Sequence, residues 1–126
     1  MNKLRIAIIL LLIIPALIAG THLYLRAATD EMCSELTSAQ KYALADDKKE
    51  AARQVAAFTK SWQNSSQIMA TFIRHSELDP VNISAARLKP LLSEEENGDF
   101  LAESAATVAQ LRHIWESDRF TPDNIF

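Results

Sequence analysis

Cysteine, glycine and proline are scarce in this chain of 126 residues, and each scarcity excludes a class of structure. The single cysteine, Cys33, excludes an internal disulfide and a cysteine metal cluster. Two glycines and four prolines leave few breaks in regular structure. Valine, threonine and aromatic runs are also few, whereas alanine, leucine, glutamate, lysine and glutamine are plentiful, so the composition favours helix almost throughout.

Positive charge is also in short supply beyond the N-terminal region. Residues 27–126 contain ten Lys and Arg against sixteen Asp and Glu, which gives 10 − 16 = −6 at neutral pH. A nucleic-acid-binding protein needs a basic face for the phosphates. We therefore expect no nucleic-acid partner.

What the sequence does contain is one long apolar run, residues 6–25, without a charged side chain. As a helix these twenty residues reach about 30 Å, the thickness of a bilayer's hydrocarbon core. Lys3 and Arg5 precede the run, which favours a cytoplasmic N-terminus. We predict a single-pass cell-membrane protein with an anchor at 1–26, in lipid contact through residues 6–25, and an extracytoplasmic domain at 27–126.

A cleaved signal peptide is the competing interpretation of the same run. Its short apolar core would end at Pro15, and a cleavage site with small residues would follow at 18–20. The apolar run resumes beyond Gly20, however, and kinked spans are tolerated in membranes. The anchor is therefore the favoured prediction, with a secreted helical binder as the alternative.

Cys33 lies on an apolar stripe with Met32, Leu36, Ala39 and Ala43, which predicts a helix that continues the membrane span. On that stripe the thiol is either buried or available to link two copies of the chain. A homo-oligomer therefore stays open.

The remaining sequence predicts three more helices. Asp47 followed by Glu50 is a capping pattern, and the second helix is expected to run on to Leu78-Asp79-Pro80. The third helix is expected to begin at Asn82 or Ser84, to kink or split at Pro90, and to end with a left-handed cap at Asn97-Gly98. Expected core aromatics are Phe58, Trp62, Phe72 and Trp115.

The fourth helix is expected to open at Asp99 and to turn Leu101, Ala105, Val108, Leu111 and Trp115 inward. Thr121-Pro122 predicts a terminal turn that tucks Ile125 and Phe126 against the core.

An internal echo relates the second and fourth helices. A shift of 53 residues aligns Asp46 with Asp99, Val55 with Val108 and Trp62 with Trp115. The predicted fold is therefore all-α: a transmembrane helix followed by two stacked helical hairpins with tetratricopeptide-like packing.

The densest cluster of charge and turn residues is at 72–88, and it contains Arg74, His75, Glu77, Asp79 and Arg87. One hypothesis makes His75, Glu77 and Asp79 a metal site in a sensor or enzyme. Their i, i+2, i+4 spacing does not share one helical face, so we prefer a structural or docking network at a helix end, with Arg87 reaching back to Glu77 or Asp79.

The segments "FIRHSELD", "ISAARLK", "DDKKEAARQVAAFTKSW" and "DNIF", together with the N-terminal apolar run, resemble a bacterial family known as domain of unknown function 4363. The resemblance covers nearly the whole chain. It implies a short, single-span helical membrane protein, often encoded beside a small multi-span membrane protein, with no assigned activity. It carries no catalytic residue over.

Nothing in the sequence supplies a nucleophile, a base and an oxyanion site together, so we expect a binding or scaffolding module, not an enzyme, without a cofactor or metal. The expected partner is another membrane protein.

Overall fold

The computed structural model describes residues 2–117, and their regular structure is entirely helical. Helix α1 spans Asn2–Leu44, α2 Lys48–Met69, α3 His75–Leu92 and α4 Gly98–Ser117. No strand occurs within this range. The all-α prediction is confirmed.

Helix α1 is one unbroken helix of 43 residues, as the continuous stripe predicted. Its N-terminal part is exposed, and it contains an 18-residue window of mean hydropathy 2.5 in which no residue is buried. Pro15 lies inside the helix without ending it. Length and composition therefore make this part of α1 a candidate membrane span.

The C-terminal part of α1 belongs to a four-helix bundle, and packing begins inside the predicted anchor because Leu25 is fully buried. Antiparallel hairpins α1–α2 and α3–α4 lie side by side, with α1 packed on α4 and α2 on α3. The packing of α1 on α4 closes the bundle, and tetratricopeptide-like stacking is not confirmed. Phe58 and Leu111, which the internal echo aligns, are both fully buried.

The boundary between α2 and α3 is not where the sequence predicted it. Helix α2 ends at Met69, and α3 begins at His75 with Arg74 as its N-cap. Buried Leu78 and Val81 share the inward face of α3 with Leu88, so the segment before Pro80 belongs to the third helix. The predicted helix end at residues 78–80 is therefore wrong, because helix α3 already runs through Pro80.

The predicted start of the third helix, its predicted split at Pro90 and the predicted left-handed cap at Asn97-Gly98 do not occur in the structure. Asn82 and Ser84 lie within α3 and do not start it, and Pro90 does not split the helix, which continues to Leu92. Gly98 opens α4 without a positive φ. The left-handed residue is Asp46, with φ of 61°, in the turn before α2.

Capping at the start of α2 follows the prediction: the Asp47 side chain accepts a hydrogen bond of 3.2 Å from the Glu50 backbone N–H. This satisfies one of the unpaired N–H groups of the first turn.

The inward face of α4 is only partly as predicted. Leu111 is buried and Leu101, Val108 and Trp115 are half-buried against the core, but Ala105 is exposed. The interior positions also include Phe100, Ser104, Thr107 and Ile114. The Ser104 and Thr107 hydroxyls can be buried because they donate to the carbonyls of Leu101 and Glu103 in their own helix.

The predicted aromatic core is likewise half right. Phe58 and Trp62 are 0% and 3% exposed, whereas Phe72 is 39% exposed in the turn between α2 and α3. The predicted terminal turn at Thr121-Pro122, with Ile125 and Phe126, lies outside the described residues.

Candidate functional site

The charged cluster at residues 72–88 is divided by the fold. Arg74, His75 and Asp79 are exposed at the start of α3, whereas Glu77 is half-buried and faces α4. The expected pairing of Arg87 with Glu77 or Asp79 is wrong, since Arg87 Nη1 lies 3.8 Å from Glu103 Oε1 of α4. The cluster begins helix α3 and does not end α2. Arg74 and His75 therefore lie at the N-terminus of a helix, away from the C-terminal carbonyls that the sequence predicts beside them.

Three polar pairs instead join α3 to α4 along one seam. Glu77 Oε2 lies 3.6 Å from His113 Nε2. The Ser84 hydroxyl donates to Gln110 Oε1 at 3.1 Å. The third pair is Arg87–Glu103 at 3.8 Å. The pairs follow each other in opposite directions along the two helices, as the antiparallel register of α3 against α4 requires.

The sequence interpretation missed Glu103 and Gln110 and left His113 unplaced. A signal was available, because Glu77, Ser84 and Arg87 recur at i, i+7 and i+10, and Glu103, Gln110 and His113 repeat the same spacing on the fourth helix. Residues with these offsets share a helical face. Two such polar stripes on consecutive helices indicate an antiparallel pairing.

Two open cavities lie along this α3–α4 seam. The first, of about 450 Å³, is lined by Ala86, Arg87, Pro90, Leu91, Asp99, Ala102 and Glu103. The second, of about 240 Å³, is lined by Glu77, Pro80, Ala109, Gln110 and His113. We refer to the two together as the α3–α4 groove. Its apolar lining consists of alanine, proline and Leu91, and its polar lining includes the members of the two ion pairs.

The lining of the groove combines small apolar side chains with charged ones. Small side chains along α4 let another backbone approach, and both prolines leave a flat apolar surface without an N–H donor. Arg87 and Glu103 offer one charge of each sign beside it. Both cavities are open to solvent, so they would enclose little of the surface of a small molecule.

The metal hypothesis for His75, Glu77 and Asp79 is not supported. Among residues 2–117 no three His, Cys, Asp or Glu side chains converge closely enough to hold a metal ion. The side chains diverge because residues two apart on a helix point in different directions.

Two titratable groups away from the groove, buried Cys33 and half-buried Glu35, have raised pKa values. Burial raises the pKa of the Cys33 thiol, and the nearby Arg112 guanidinium partly offsets this. Cys33 is 7% exposed, and its Sγ lies 4.0 Å from the Val108 carbonyl oxygen. A thiol in this position packs inside the bundle, so it is poorly placed to link two copies.

Burial also raises the pKa of Glu35, whose carboxyl lies between α1 and α2 beside the Ser61 hydroxyl, which acts in the opposite direction. One of its oxygens, Oε1, has no hydrogen-bond partner. Burial without a full set of hydrogen bonds favours the neutral acid.

Comparison with known proteins gives one match. The family described as Domain of unknown function (DUF4363) matches residues 20–125, which include all of the bundle. No curated protein and no solved structure matches the chain.

Proposed function

Since the chain belongs to the DUF4363 family, whose description assigns no activity, we propose a function from the geometry alone: a membrane-anchored, extracytoplasmic module that binds another membrane protein. It acts by holding a partner near the bilayer, without catalysing a reaction. The α3–α4 groove is the binding surface.

The continuity of α1 carries this proposal. The apolar segment and the first helix of the bundle are one helix, and Leu25, at the end of the apolar run, is already buried in the core. No flexible linker separates anchor from bundle. The groove is therefore held at a constant height above the bilayer, where a membrane-embedded partner is within reach.

The orientation follows from charge. Lys3 and Arg5 precede the apolar segment, and the part beyond it is acidic. Basic residues beside a span are retained on the cytoplasmic side, which directs residues 27–126 outward. An exposed acidic surface also disfavours close association with anionic headgroups, so most of the bundle stays in water.

The partner's chemistry follows from the groove. The alanine and proline side chains that line it leave room for the ridge of an apolar helix or an extended segment. The Arg87–Glu103 pair at its edge supplies polar contacts that can set the register of such a segment.

Site-directed photocrosslinking in native membranes tests the binding surface. A photoreactive amino acid replaces Ala102 or Ala109 in the groove, with Gln63 on the exposed face of α2 as the matched control. We expect a discrete adduct with one membrane protein from both groove positions and none from Gln63. Equal adducts from all three positions, or none from the groove, would contradict the proposal.

The location is tested separately. External protease added to cells stripped of their wall should digest the bundle, and the intact mass should retain residues 1–20. A mature protein that begins after Gly20 and is recovered from the medium would favour the secreted binder instead.

A further inference from the structure

Hydrogen bonds between helices show which residues lie at the same height in the bundle. The Gln40 amide donates to the Ser104 hydroxyl between α1 and α4, and the Trp62 indole N–H donates to Asn82 Oδ1 between α2 and α3. Ser61 of α2 lies beside Glu35 of α1. Met69 follows Ser61 by eight residues in α2, and Ala27 precedes Glu35 by eight residues in α1. Because the two helices are antiparallel, these equal steps run in the same direction along the bundle. Met69 therefore lies level with Ala27, and the turn at residues 70–74, which follows it before α3 runs back, lies next to the end of the apolar run.

That height is the end of the apolar run at residues 6–25. If the apolar run occupies the hydrocarbon, the α2–α3 turn lies at the bilayer surface. The direction of α2 requires this, because it returns from Lys48 toward the anchor.

The turn exposes apolar side chains at this height. Ile68 is 50% exposed and Phe72 is 39% exposed, with Ile73 half-buried between them and the core. Leaving both in water costs free energy, since apolar surface is more stable when it is removed from water. A membrane surface at the same height removes that cost.

Charged and aromatic side chains lie at the end of the apolar run on α1 and α4 as well as at the turn. Arg74 is exposed at the end of the turn, and the Arg26 guanidinium lies 5.7 Å from the ring centroid of Trp115. The Trp115 ring also lies 5.6 Å from that of His22. Aromatic rings and arginines collect at the headgroup level of bilayers. Acidic Asp79 comes later on α3, which runs away from the membrane.

We infer that the α2–α3 turn, residues 70–74 together with Ile68, is a second membrane contact: Phe72 and Ile68 enter the headgroup region of the outer leaflet and Arg74 binds lipid phosphate. The inference rests on the proposed anchoring of the chain. Two contacts, the span and the turn, limit tilting of the bundle. They fix the direction in which the α3–α4 groove faces across the membrane.

Depth-dependent fluorescence quenching tests this with the full chain in liposomes of phosphatidylcholine and phosphatidylglycerol, without other proteins. Cys33→Ala removes the native thiol, and single cysteines then carry a polarity-sensitive dye at Phe72, Ile68, Leu11 or Leu44. Leu11 reports the span. Leu44, 71% exposed at the opposite end of the bundle, is the matched control.

We expect quenching by lipids that carry a shallow nitroxide, with a blue-shifted dye emission, at Phe72 and Ile68 but not at Leu44. Arg74→Gln should weaken the quenching at Phe72 in the anionic liposomes. Circular dichroism of each variant checks the fold, and these side chains are exposed, so their replacement leaves the core intact.

Each other outcome overturns a defined part. Quenching at Leu11 with none at Phe72 or Ile68 refutes the turn contact and leaves the anchored module standing. No quenching at Leu11 refutes the anchor itself. A dye at Phe72 that is shielded in native membranes but not in liposomes shows that the turn meets a protein, which refutes the lipid assignment.

Discussion

The sequence predicts both Phe58 and Phe72 in the core, but the structure predicts a large loss of stability on replacing Phe58 and almost none on replacing Phe72. Phe58 is fully buried in the middle of α2, whereas Phe72 is 39% exposed in the α2–α3 turn. Phe58→Ala removes a ring from a closed bundle and leaves a cavity, at a cost of about 3–5 kcal/mol in the free energy of unfolding. Phe72→Ala is a surface change and should stay within about 0.5 kcal/mol.

The corresponding shifts in melting temperature are easily separated. For a domain of this size 1 kcal/mol corresponds to about 4–8 °C, so a loss of about 3 kcal/mol lowers Tm by roughly 12–24 °C. Thermal unfolding of the full chain in a non-ionic detergent, followed by tryptophan fluorescence, measures it. Trp62 is a suitable reporter because it is 3% exposed in the native bundle.

Two outcomes of this comparison would contradict the structure. If Phe72→Ala lowered Tm as much as Phe58→Ala, the turn would be packed in the core, and the described end of α2 would be wrong. If neither substitution changed Tm, the four helices would not unfold together as one cooperative unit. Phe58→Leu, which keeps most of the buried volume, should give a smaller loss than Phe58→Ala.

Three further predictions concern buried polar groups. Because burial raises the folded-state pKa of Glu35, its ionisation destabilises the fold increasingly as pH rises from the ordinary glutamate pKa through the raised one. Glu35→Gln should therefore raise Tm at pH 7 and lose that advantage near pH 4, and a difference in Tm that does not depend on pH would contradict this. Cys33 should resist maleimide in the native protein and react fully in denaturant, since burial both hides the thiol and raises its pKa; rapid native labelling or a disulfide-linked dimer on a non-reducing gel would contradict its position. Trp62→Phe and Asn82→Ala should each lower the free energy of unfolding by about 1 kcal/mol, because each removes the 2.7 Å indole hydrogen bond. In denaturant unfolding the double variant should lose less than the sum of the two single losses, and strict additivity would show that the bond contributes nothing.

Most of the helical architecture could be predicted because it depends on local pattern. The apolar run, the stripe of Met32, Leu36, Ala39 and Ala43, and the cap at Asp47 each act within a few residues. The helix they predict is present as α1, and the cap starts α2 as expected.

The candidate groove could be predicted only in part, because it depends on how two helices face each other. Glu77 and Arg87 were recognised as interacting groups, but their partners, His113 and Glu103, lie on α4. The charge spacing along α3 is equally compatible with a pairing of Arg87 with a carboxylate of its own helix. Only the register of α3 against α4 distinguishes this local pairing from the pairing with Glu103.

By itself the sequence determined an apolar segment long enough to span a bilayer, a helical chain behind it, and an acidic surface, since these follow from composition and periodicity. Only the tertiary structure decided that α2 stops at Met69, that Pro80 lies inside α3, and that Ser104 and Thr107 face the core in place of Ala105. An alanine-rich helix has several faces of similar polarity, and a proline near a helix start is compatible with either assignment. The bundle selects among these options because only one of them buries Leu78, Phe100 and Ile114 together.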